Sequence, residues 1–165
     1  MESIGIMGTG RMGVRLALLF AEAGNRVVLG SRNRARAERI VKHLGNSSIQ
    51  PGSYKEAASQ PVVLPAIFLR DGLLDIIEPY RADFDGKLFI DISNPFNADY
   101  SDFILPWNTS SAEQLQFRFP QTTVVGAFKN VFWEVFDQPR FDGGAVSDIY
   151  IVGDDEGAKR RLVAM

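Results

Sequence analysis

Cysteine is absent from the 165 residues, and histidine occurs once. The first absence excludes disulfides, thiolate metal sites and a cysteine nucleophile. His43 alone cannot assemble a metal centre, so no metal site is expected; near the end of a helical stretch it reads as a solvent-facing residue suited to the helix dipole. Long apolar runs are also missing. The longest candidate helix is interrupted by Arg15 and Glu22, which leaves no membrane span. Met1 leads directly into the first apolar run, so no leader segment is expected and a cytoplasmic location is. Neither sign of charge dominates: the net charge of −2 creates no field that would collect nucleic acid or an anionic membrane. The expected partners are therefore a small molecule and other protein.

What is present is ordinary globular material, 45% hydrophobic and 23% charged, enough for one well-buried α/β domain over residues 1–165. Its organising stretch is residues 4–32. A short apolar run, 4–7, meets Gly8, Gly10 and Gly13 in G-x-G-x-x-G spacing, and an apolar helix from about Arg11 to Ala23 follows until Gly24-Asn25 stops it. A second strand, 26–30, comes next. In this strand–turn–helix–strand context Gly8 permits the tight turn, Gly10 lets a pyrophosphate approach the backbone, and Gly13 brings helix and sheet together. The helix N-terminus favours an anion through its unpaired N–H groups and dipole.

The end of the second strand discriminates between dinucleotides. An NAD site places Asp or Glu about 20 residues beyond the glycines to accept from the ribose 2′-OH. Here Ser31, Arg32, Asn33 and Arg34 follow, with Arg36 further on and no acid nearby. A hydroxyl and a guanidinium suit a 2′-phosphate, so the reading is NADP(H). Arg34 and Arg39 read as the solvated face of the next helix.

Beyond Arg32 the alternation continues. A helix over 33–44 offers Ala35, Ile40, Val41 and Leu44 for burial, a short strand lies around 48–50, and Ser53 caps a brief helix through 58. The fourth strand, 62–67, should pair up to Leu64 or break at Pro65. Asp71 is expected to cap a helix carrying Leu73 to Tyr80, and the fifth strand, 87–92, stops at Ser93-Asn94-Pro95. Residues 96–107 are irregular and aromatic, a surface excursion or lid. A capped helix begins at 109–111, a sixth strand spans 123–127, residues 131–136 form an apolar patch, and a last strand at 148–152 precedes a helix from Asp154. The alternation predicts a Rossmann-type, doubly wound, mainly parallel sheet in order 3-2-1-4-5-6 plus an edge strand.

The segments IGIMGTGRMG, VVLGSRNRARAE, YKEAA, LFIDISNP, SSAEQLQFRFPQTTVVGAF and IYIVGDDEGAK, in that order, resemble the family of NADP oxidoreductases that use the deazaflavin coenzyme F420, and the related reductase domain of the STEAP metalloreductases. The resemblance covers most of the chain. It implies NADP(H) as cofactor, cradled at the phosphates by Gly8, Thr9, Gly10, Arg11 and Met12 and at the 2′-phosphate by Ser31, Arg32 and Arg36. It also implies that nicotinamide and a deazaflavin (F420) or flavin partner lie beside the loops at 66–69, 93–96 and 127–131, which contain Ala66, Ile67, Asn94, Pro95 and Ala127. The chain departs from the pattern where Lys129 precedes Asn130, since relatives commonly have asparagine directly after A-F.

Hydride transfer between two stacked rings needs no protein nucleophile or metal, so no catalytic residue is assigned. Asp91 and Asp71 read as strand-end and helix-cap residues rather than proton shuttles. Two rival readings remain open: an enzyme like the β-hydroxyacid dehydrogenases or pyrroline-carboxylate reductases, and a non-catalytic NADP-binding sensor or interaction module. Relatives are expected to continue beyond Met165 with a segment that helps build the second-coenzyme site, and a homo-oligomer, most simply a dimer, is expected.

Overall fold

The computed structural model describes residues 1–138 and 140–165. Its centre is β1 (Ser3–Met7), whose side chains from Ile4 onward are buried, followed by α1 (Arg11–Glu22), β2 (Arg26–Gly30) and α2 (Arg34–Leu44). Then come β3 (Ile49–Gly52), α3 (Tyr54–Ala58), β4 (Val62–Pro65), α4 (Leu73–Ile77), α5 (Arg81–Phe84) and β5 (Leu88–Asp91). The chain closes with α6 (Ser111–Arg118), β6 (Thr123–Gly126) and α7 (Glu156–Val163). All strand pairs are parallel and their order is β3-β2-β1-β4-β5-β6, as the alternation predicts. Because helices cover both faces, β1, β4 and β5 read as nearly unbroken apolar runs. One layer of core is built on Ile4, Ile6, Leu16, Phe20, Leu29 and Val125, the other on Met7, Val63, Leu73, Phe84, Phe89 and Phe119.

Several elements differ from their sequence outlines for local reasons. Strand β3 runs through Pro51-Gly52 because it is an edge strand, where a missing donor costs little. Pro65 ends β4 unequally: pairing with β1 continues to Pro65, whereas pairing with β5 stops at Val63. Asp71 does not cap α4. It lies in a 3₁₀ turn (Leu69–Asp71), and Gly72, in the left-handed region at φ 83°, starts the helix without a side-chain cap. On α2 it is Ala37, not Ala35, that is buried. The edge addition after β6 is a single antiparallel bridge, Gly126 with Val152, rather than a ladder, and α7 is capped by Asp155, one residue later than expected. Among the described residues no helix is long and apolar enough to cross a membrane.

Two surface carboxylates fasten helices to one another. Glu56 completes a capping box with Ser53 and binds Arg34; bonds from the Ser53 N–H and hydroxyl, then from Arg34, hold its carboxyl down at about 2. Glu78 accepts from Arg81 and Arg118, at 2.7 and 2.6 Å, and is likewise held at about 2. A depressed carboxyl contributes stability that is present above its ordinary value of 4.5 and is lost as pH falls towards about 2. Thermal unfolding followed by circular dichroism should therefore show the double variant Glu56→Gln/Glu78→Gln melting below the unsubstituted chain at neutral pH, the two curves converging as pH falls from 4.5 to 2. The gap should narrow in high salt, since both groups are solvent-facing.

Candidate functional site

The loops at the carboxyl ends of β4, β5 and β6 bond to one another, and the glycine turn between β1 and α1 adjoins this row on the β4 side, the Ala66 N–H donating to the Met7 carbonyl at 2.8 Å. Gly8 has φ +136°, and a Cβ there would stand 2.5 Å from the Ala66 carbonyl oxygen; at Gly13 one would stand 2.3 Å from the Gly8 carbonyl oxygen. These two glycines are required by the turn and by close packing. Gly10 differs: a Cβ there would meet nothing within 4 Å. Its side faces open space, as a backbone approached by a pyrophosphate should. Helix α1 has no side-chain N-cap and no acid in its first turn, whereas Asn33, Ser53, Ser110 and Asp155 cap α2, α3, α6 and α7. The positive end of α1 is thus left for an anion from elsewhere.

The residues after β2 gather beside this turn. Ser31 is buried, its Oγ accepting from the Asn33 N–H at 3.1 Å. Arg36, on the first turn of α2, donates from Nε to Thr9 Oγ1 at 3.0 Å and so reaches the glycine turn itself. Arg32 is exposed and stands beside the Tyr54 hydroxyl; burial pushes that hydroxyl above its ordinary value and the Arg32 charge opposes the rise. Arg34 turns away to Glu56 and Glu38, in keeping with a solvated helix face. Arg11 and Arg15 lie over the Trp133 ring, 4.7 and 4.4 Å from its centroid, and Arg15 also pairs with Asp137. The 131–136 patch is accordingly packing in large part: Val131 is buried and Phe136 joins the core, while Phe132 stays exposed.

The other loops continue the floor. Ala66 and Ile67 are half-buried after β4, and Ser93 Oγ reaches the Ile67 carbonyl at 3.3 Å. Asn94 and Pro95 are half-buried after β5, with Asn94 Nδ2 donating to the Lys129 carbonyl at 2.9 Å. Ala127 is wholly buried just after β6, its N–H donating to the Asp91 carbonyl at 3.0 Å, so it supports the floor from beneath and presents no surface of its own. The 96–107 excursion folds over this end through an antiparallel bridge between Phe96 and Phe103, and Arg70 pins it by donating to the Asn97 carbonyl and the Tyr100 hydroxyl, both at 2.8 Å. Between the excursion and the β5 loop lies a cavity of about 240 Å³, walled by Asn94, Pro95, Phe103 and Trp107 with Ser111 and Lys129 also lining it.

Sequence reasoning placed Asp91 at a strand end, where it lies, but missed its partner. Asp91, fully buried at the end of β5, pairs with Lys129 and lies 2.7 Å from Ser111 Oγ. The signal was available, because an acid in an otherwise apolar buried strand requires a partner.

A parallel sheet in this order, with a tight glycine turn and an uncapped helix after its central strand, defines a nucleotide-binding α/β domain of the Rossmann class. The family model for NADP oxidoreductase, coenzyme F420-dependent, matches residues 3–95, and the chain belongs to that family. It is 31% identical over 163 residues to the metalloreductase STEAP3 of Rattus norvegicus, covering 98% of this chain and 31% of that protein. It is 27% identical over 138 residues to the F420-dependent NADP reductase of Methanothermobacter thermautotrophicus, covering 76% of this chain and 60% of that one. The chain thus spans about a third and three fifths of these curated relatives. A crystal structure of a candidate F420-dependent NADP-reductase from Arthrobacter sp. FB24 superposes with a TM-score of 0.83 at 21% identity, over 99% of this chain and 78% of that one, and supports the fold.

Proposed function

We propose that the chain binds NADP(H) across the carboxyl ends of β1, β2, β4 and β5 and transfers a hydride between it and a deazaflavin (F420) or flavin-type acceptor. The observation that carries the reading is the bond from Arg36 to Thr9 of the glycine turn, with Ser31 and Arg32 directly after the neighbouring strand β2, in a stretch without an acid to accept from a ribose 2′-hydroxyl. Family membership and the similarity to the F420-dependent NADP reductase of Methanothermobacter thermautotrophicus support it.

On this reading Thr9, Gly10, Arg11 and Met12 present the turn and the free end of α1 to the pyrophosphate, and Gly8 and Gly13 hold that turn in place. Ser31 offers a hydroxyl to the 2′-phosphate, Arg32 and Arg36 two guanidinium groups. Ala66, Ile67, Asn94 and Pro95 flank the nicotinamide end, with buried Ala127 beneath them. The site would hold NADPH so that its nicotinamide could give a hydride to the acceptor, which would also take up a proton, leaving NADP⁺. The residues themselves orient and screen: the loops hold one ring and the aromatic wall of the cavity limits water beside it.

Stopped-flow oxidation of NADPH by F420, by flavins and by ferric chelates tests the proposal. Oxidation with F420 or a flavin is expected. Tight NADPH binding with no oxidation by any acceptor would instead make this chain a nucleotide-binding module.

A further inference from the structure

The residue after Phe128 occupies a place that its sequence position does not suggest. Phe128 has φ +60°, a region that bulky side chains rarely adopt, and its ring is nonetheless buried, edge-on to Phe20 at 6.0 Å and near Phe136 at 6.2 Å. With Phe128 fixed in that conformation, the Lys129 stem runs past Gly126, where a Cβ would stand 3.0 Å from the lysine Cε. The ammonium ends among three acceptors: the Asp91 carboxylate, the Ser93 carbonyl at 2.8 Å and Ser111 Oγ at 2.7 Å. Asp91 also accepts from the Ser93 N–H at 2.8 Å, and Asn94 donates back to the Lys129 carbonyl at 2.9 Å. Backbone conformations of this kind persist only where the surroundings over-determine them, and they cluster at functional sites.

We infer that Lys129 is the positioning residue for the nicotinamide end of the site: with Asp91 it clamps the Ser93–Pro95 loop to the loop after β6 and to the start of α6. The inference rests on the NADP(H) reading above. All three ammonium donors are spent on Asp91, Ser93 and Ser111, so Lys129 acts through the loop it holds and not by giving a proton to substrate. The buried carboxylate is what keeps the lysine in place.

The two halves of the nucleotide separate this role from general stability. Adenosine 2′,5′-bisphosphate carries the phosphate half alone, and the fluorescence of bound NADPH reports the environment of the nicotinamide. In Lys129→Met, and in Asp91→Asn/Lys129→Met, which leaves no unpaired buried charge and keeps the test available if the single variant does not fold, bisphosphate affinity should be unchanged. The fluorescence enhancement of bound NADPH should be lost, and hydride transfer from it should fall by about a hundredfold, the cost of a ring displaced by about 1 Å. Unchanged fluorescence and transfer in the double variant would overturn the inference, as would equal losses of bisphosphate and NADPH affinity. If the unsubstituted chain binds neither nucleotide, the NADP(H) reading fails first and this one with it.

Discussion

Gly10→Val is expected to fold and to bind NADPH at least a hundredfold more weakly than the unsubstituted chain. The new side chain enters space that is empty in the protein, and Gly10 has φ −79° and ψ −178°, which any residue can adopt. Stability should fall by only about 1 kcal/mol, the cost of a poorer helix N-cap. Binding should suffer far more, because the pyrophosphate can no longer reach the backbone N–H groups of the turn. Losing two hydrogen bonds to a charged group, each worth about 1.5 to 3 kcal/mol, gives a hundredfold loss or more. Differential scanning calorimetry and NADPH titration on one preparation would show whether stability and affinity separate in this way. Gly13→Ala should show the opposite balance, since its methyl would press on the Gly8 carbonyl oxygen whether or not nucleotide is present.

The second large effect concerns the choice of dinucleotide. Arg32 is exposed, sits at the carboxyl end of β2 and is held by no ion pair among the described residues, so its guanidinium is free to meet a 2′-phosphate. Arg32→Glu removes that charge and supplies an acceptor for a 2′-hydroxyl. NADPH affinity should fall by about tenfold to a hundredfold or more, the worth of one charge-assisted bond, while NADH affinity rises or holds. Equal losses for both nucleotides in titration calorimetry would show that Arg32 acts through Tyr54 and local structure instead.

The contrast between these glycines and Lys129 shows what the sequence made legible. The glycine turn and strand order could be read because each depends on residues close in the chain: a 3.6-residue period, a turn spacing, an apolar run. The cluster after β2 was legible for the same reason, although the bond from Arg36 to Thr9 spans 27 residues and needed the structure. Asp71 was misjudged because Gly72, with its left-handed conformation, offered the chain a different way to start α4. The strand at 148–152 shrank to one bridge because a single pair, Gly126 and Val152, meets at the sheet edge. The Asp91–Lys129 pair joins residues 38 apart, and the residue before the lysine, Phe128, has a left-handed φ; no local pattern encodes that. Only the need of a buried acid for a partner hinted at it.

The central claim is that the turn at Gly8–Gly13 and the Ser31–Arg36 stretch together make a site for a 2′-phosphorylated dinucleotide. Titration of the unsubstituted chain with NADPH and with NADH, at one salt concentration, tests it most directly. The account predicts saturable NADPH binding about tenfold or more tighter than NADH binding, with the gap shrinking as salt screens the guanidinium groups. Equal affinities, or no binding of either, would contradict it.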